Sequence, residues 1–80
     1  MTMKYVIVID NNGEESPIVF YDSVVHSTVR NFNGVTISAG FATKSVTGQW
    51  FAHGESISLH LKSRPAEDSV LLNKFFDYVL

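Results

Sequence analysis

The residues with the widest chemical reach crowd into one stretch, Ser38 to Leu59, with Arg64 just beyond it. His53 and Glu55 stand one residue apart as His53-Gly54-Glu55. On an uninterrupted strand both would leave the same face, where a histidine beside a carboxylate can hold a metal or shuttle protons. His26 and His60 could converge on the same ion, although the spacing does not require it. The His-x-Glu triplet also occurs in zinc deaminases, but their remaining ligands are cysteines and this chain has none. Ser38, Ser56 and Ser58 with His26 or His53 and Asp68 supply the ingredients of a serine hydrolase. The Gly-x-Ser-x-Gly turn that exposes such a nucleophile is absent. Each feature also has a plainer explanation: histidines in strands and turns commonly serve as polar surface, and Gly54 as a bend between polar neighbours.

A binding reading draws on more of these residues. Ser38, Gly40, Gly54, Ser56, Ser58 and Arg64 would form a polar concavity in which small side chains admit a ligand to the backbone N–H groups. Hydroxyls would donate and accept there, and an arginine at a helix N-terminus would attract phosphate or carboxylate. The competing reading pairs Arg64 with Glu67 or Asp68 and uses the small residues for close strand packing. Trp50 and Phe51 are adjacent, so on a strand one faces inward and the other becomes an exposed apolar anchor.

These residues must be positioned by a mostly β framework. Tyr5-Val-Ile-Val-Ile9 is a continuous β-branched run, as expected of a central or doubly covered strand. Asn12-Gly13 predicts a tight type I′ hairpin into Ile18-Val-Phe-Tyr21, with Pro17 at the strand's start or on an edge. One or two helical turns are expected from about Val24 to Asn31, capped by Ser23 or Ser27. From Val35 the period becomes two, setting Val35, Ile37, Ala39 and Phe41 against Thr36, Ser38, Gly40 and Ala42. Thr43 to Gly48 reads as a turn, Gln49 to His53 as a strand, and Ser56 to Leu61 as another strand after the Gly54 bend. Pro65, Glu67 and Asp68 mark a helix start. Val70, Leu71, Leu72, Phe75, Phe76 and Val79 then form an apolar stripe, with Asp68, Asn73, Lys74 and Asp77 outward.

The expected fold is therefore α+β: one domain over residues 1–80, a small antiparallel sheet of four to five strands, and a C-terminal helix on one face. The serine and glycine side of the sheet is expected to stay open, opposite the helix.

Eighty residues bury only about 60 to 65% of their extended surface, so such a domain is marginally stable. The hydrophobic share of 45% argues against disorder, and the charged share of 18% favours self-association, with a dimer as the first expectation. A net charge of -2 with both signs scattered offers no basic stripe for nucleic acid. No apolar run approaches the roughly 20 residues that span a bilayer, and no signal peptide or cysteine framework is visible, so a soluble cytoplasmic protein is expected. No cofactor or metal is expected.

At Ser38-Ala-Gly-Phe41, Gly54-Glu-Ser-Ile-Ser-Leu59 and Ser63-Arg-Pro-Ala-Glu-Asp68 the chain resembles a group of short uncharacterised bacteriophage and prophage proteins. Their opening is similar too: a strand, a turn, a Pro-Ile-Val-Phe-like strand and a histidine like His26. Where those proteins often carry an aromatic before Gly-Glu-Ser, this chain has Ala52-His53. The resemblance implies a phage-encoded accessory protein in a bacterial cytoplasm and no catalytic residues. The expected function is a non-enzymatic binding protein that inhibits or sequesters a host or defence component, either a protein or a small anionic ligand. Its expected contact residues are Ser38, Gly40, Trp50, His53, Gly54, Glu55, Ser56, Ser58 and Arg64. The alternatives are a small hydrolase or metal-dependent enzyme using His53, Glu55 and a serine, and a minor virion component.

Overall fold

Tyr5-Val-Ile-Val-Ile9, all β-branched or aromatic, runs through an inner strand of the sheet. A computed structural model describes residues 2–26 and 34–79. Strand β1 (Thr2–Ile9) lies between β2 (Glu15–Phe20) and β3 (Val35–Lys44), and β4 (Trp50–His53) completes a four-stranded antiparallel sheet in the order β2-β1-β3-β4. As the continuous apolar run predicts, Tyr5, Val6 and Ile7 of β1 are fully buried, covered on both faces. A second, two-stranded sheet pairs β5 (Glu55–Ser56) with β6 (Leu61–Lys62). Helix α1 (Pro65–Val79) closes the chain. The fold is α+β, as the periodicities predict.

Helix α1 covers the face that carries Tyr5 and Ile7. Its Leu72 is fully buried with them, and Trp50 stacks on Phe76 at 4.0 Å between ring centroids. The helix also closes the free edge of β4. Asn73 accepts a hydrogen bond from Trp50 N–H at 2.9 Å and donates to the Trp50 carbonyl at 2.8 Å, while Ser69 Oγ accepts from Ala52 N–H at 2.9 Å. Those backbone groups would otherwise offer a template for another strand. At the opposite edge Pro17 interrupts β2, in the edge position that its missing N–H predicts. No helix among the described residues is long and apolar enough to cross a membrane.

Four local expectations are corrected. The first hairpin is not type I′, because only Gly13 has a positive φ, at 80°. Instead Asp10 Oδ1 accepts from the N–H groups of Asn12 and Glu14, so the aspartate organises the turn. Ser56 to Leu61 is not one strand: residues 57–60 turn back, with His60 at φ 57°. Ser56 Oγ accepts the Leu59 N–H at 3.2 Å, and such local bonding competes with a ladder. Asp68 and Asn73, expected outward, both face the sheet, whereas Val70 of the expected stripe is 60% exposed. Finally, the side of β3 bearing Ser38, Gly40 and Ala42 is the helix side, since these residues pair with Ile7, Tyr5 and Met3. A register shift between Ile7 and Val8 turns Ile37 toward the same core. The expected helical turns from Val24 to Asn31 lie mainly outside the described residues. Their described beginning is a turn closed by Val24 N–H on the Tyr21 carbonyl.

Candidate functional site

The sheet face opposite α1 is built from the alternate residues of each strand. Lys4 and Val6 of β1, Ile18 and Phe20 of β2, Ala39 and Phe41 of β3, and Phe51 and His53 of β4 share it by register. Over it lies His26. The imidazole packs edge-to-face with Phe20 and Phe41, at 5.5 Å and 5.7 Å between ring centroids, and Phe41 stacks on His53 at 6.1 Å. Four rings from four segments thus form one ladder.

Beside this ladder a groove of about 400 Å³ opens, lined by Lys4, Val25, His26, Phe41, Glu55, Ile57 and Ser58. Its walls are largely apolar, with Val25 50% and Ile57 82% exposed at the rim. One ammonium and one carboxylate flank them. Lys4 Nζ donates to the Val24 carbonyl at 2.9 Å, which holds the ammonium in place and spends one of its three protons. Neither Lys4 nor Glu55 has an ion-pair partner among the described residues.

His26 is buried and donates from Nε2 to the Gly40 carbonyl at 2.9 Å. A carbonyl only accepts, so Nε2 carries the proton and Nδ1 is left as an acceptor. Burial lowers the His26 pKa from its usual value, opposed by the Gly40 bond and assisted by the Lys4 charge. The ring is accordingly a neutral wall of the groove at neutral pH.

Most of the expected contact residues have structural duties. Ser38 is fully buried on the helix side, and its hydroxyl finds no partner among the described residues. Gly40 is also buried, and a Cβ there would lie 2.5 Å from the His53 carbonyl oxygen and 3.2 Å from Ser63 Cβ. The chain itself fills the space expected to admit a ligand. Trp50 is 6% exposed in the core, leaving Phe51, at 50%, as the exposed member of the pair. Ser56 is buried and holds its own turn. Arg64 binds Glu15 at 2.7 Å and Asp68 at 2.8 Å, and its pKa is raised first by the Glu15 bond.

The remaining four lie on or beside the face opposite α1. Gly54, at φ 77°, breaks the pleat between His53 and Glu55, so these two do not continue one strand face. His53 hydrogen-bonds Thr43 Oγ1 at 2.7 Å, and Thr43 contacts Thr2 at 3.1 Å. Glu55 and Ser58 reach the groove. Among the described residues no three His, Asp or Glu side chains come together in a way that could hold a metal ion. Sequence reasoning missed Lys4, Val25, Phe41 and Ile57. The alternation of Lys4, Val6 and Val8 within β1 is the one signal that could have placed a lysine on this face.

Compared with protein-family models, with curated proteins and with solved structures, the chain matches none.

Proposed function

We propose that this chain is a non-enzymatic binding protein that docks a protein partner on the sheet face opposite α1. The observation that carries the reading is the groove bounded by Val25, His26, Phe41 and Ile57, an apolar concavity with exposed rims and, among the described residues, two charges. Concave, largely apolar surfaces with a few fixed polar groups are where partners are held. The residues most suited to other chemistry are engaged elsewhere: Arg64 in two ion pairs, Ser56 in a turn and His53 with Thr43. Among the described residues lining the groove a small anionic ligand would find one cation, Lys4, so a macromolecular contact is the better fit. The resemblance to phage proteins supports a narrower form, in which the partner is a bacterial host or defence protein inhibited in the cytoplasm.

The test compares two exposed apolar positions on different sides of the molecule. Ile57→Asp puts a charge on the groove rim, and Val70→Asp puts one on α1. Immobilised wild type and V70D should retain the same bacterial proteins from a host lysate, and I57D should lose them. Equal capture by I57D and wild type would refute this location.

A further inference from the structure

We infer that the same face also pairs with a second copy of this chain, in a two-fold contact that sets Lys4 of each copy against Glu55 of the other. The inference rests on the docking reading of the groove and names one occupant of it. In an isologous interface residue i meets j and j meets i, so a patch with one ammonium and one carboxylate around an apolar centre complements itself. Here the ammonium is Lys4 and the carboxylate Glu55, both on one groove and both without an ion-pair partner in their own subunit among the described residues. Val25 and Ile57 supply exposed apolar rim to the same groove.

Both sheet edges and the helix-covered face are less available for self-association. Strand addition at β4 is blocked because Asn73 and Ser69 already occupy the backbone groups of Trp50 and Ala52. At β2 it is hindered by Pro17, which has no N–H to offer. The opposite sheet face is filled by α1. A standard interface takes about 800 Å² from each partner, roughly 15% of this subunit's 5221 Å². Phe51, Val25 and Ile57, all at least half exposed, contribute apolar surface to such a contact. A net charge of -2 per copy opposes the pairing only weakly. Self-pairing and capture of an external partner then compete for one surface, so the free monomer is the capturing form.

The decisive experiment is charge reversal with mixing, read by sedimentation equilibrium over a concentration series at low salt. Wild type should dimerise. K4E and E55K alone each set like charges against one another twice per dimer, and each should dissociate at least about tenfold more readily. An equimolar mixture of the two variants restores both opposite-charge contacts and should recover the dimer, as should the K4E/E55K double variant. Far-UV circular dichroism and thermal midpoints establish that each variant is folded. If K4E loses its fold through the Val24 contact, E55K alone must still weaken the dimer, and so must Ile57→Arg on the exposed rim. A monomeric wild type, or unchanged dimerisation in E55K and Ile57→Arg, would overturn the inference. So would folded single variants that fail to pair on mixing. Only self-pairing predicts recovery on mixing, whereas selective loss of host-protein capture by I57D reports the docking reading independently.

Discussion

A histidine buried between two phenylalanines has lost the hydration that its protonated ring would need, and the bond to the Gly40 carbonyl offsets only part of that loss. His26 sits in that position against Phe20 and Phe41, with the Lys4 ammonium opposing a second positive charge. Its folded pKa is lowered, while the unfolded chain protonates near the usual value of about 6.5. The unfolded state therefore binds more protons as pH falls below that value, and stability falls with it. The stabilising share is complete above the unfolded pKa and is lost as pH falls toward the folded one. The thermal midpoint of the wild type should drop between pH 7.5 and 5.5. In His26→Gln, whose amide can still donate to the Gly40 carbonyl, the drop over that window should be smaller. Parallel curves for the two proteins would show that another group governs the dependence. Chemistry at this scale was only partly readable from sequence. His26 was visible as a titratable residue, but nothing in its spacing announced that Gly40 and two phenylalanines from other strands would surround it.

At the scale of elements, the relation between α1 and β4 is a substitution of side chain for strand. Asn73 presents an acceptor and a donor to Trp50 as a neighbouring backbone would, and its amide also donates to the Ser69 carbonyl at 2.8 Å. Asn73→Ala removes all of these bonds and leaves two backbone groups of a partly buried edge to find water. The cost should be about 1 to 3 kcal/mol, measured as a lower urea midpoint with an unchanged slope. A midpoint within about 0.3 kcal/mol of wild type would mean that the edge is solvated at no penalty. The four strands of the main sheet, the start of α1 and the edge place of Pro17 were legible because hydrophobic period and proline chemistry are local. Asn73 and Asp68 were not, since a helical pattern marks apolar residues as inward and cannot register polar residues recruited by a strand edge. The turn at residues 57–60 was missed for a related reason. Alternating serines and aliphatics fit a strand, yet the Ser56 hydroxyl bonds its own backbone instead.

Across the whole molecule, α1 fastens to both sides of the sheet. Asn73 and Ser69 hold β4, and at the other end Arg64 joins Glu15 of β2 while the fully buried Asp68 joins Tyr5 of β1. Asp68 is the centre of this clamp: it accepts from the Tyr5 hydroxyl at 2.6 Å, from the Arg64 backbone N–H at 3.0 Å and from the guanidinium at 2.8 Å. Burial, then the bond to Asp68, raises the Tyr5 pKa, so the phenol stays a donor. Asp68→Asn keeps the shape but removes the charge that Arg64 faces. Losing one member of a fully buried pair costs about 3 to 5 kcal/mol, and because Arg64 is partly solvated the loss here should be smaller, about 2 to 3 kcal/mol. That is a large fraction of what an 80-residue domain has to lose. Since Asn73, Ser69 and the Trp50–Phe76 stack still tie helix to sheet in this variant, the whole domain should still unfold in one step. Helical circular dichroism and the exchange protection of the β1 amides should be lost together at the lower urea midpoint. If the helical signal is lost at lower urea than the exchange protection of the β1 amides, α1 detaches on its own once Asp68 is replaced, and Asn73, Ser69 and the Trp50–Phe76 stack are not enough to keep helix and sheet one cooperative unit.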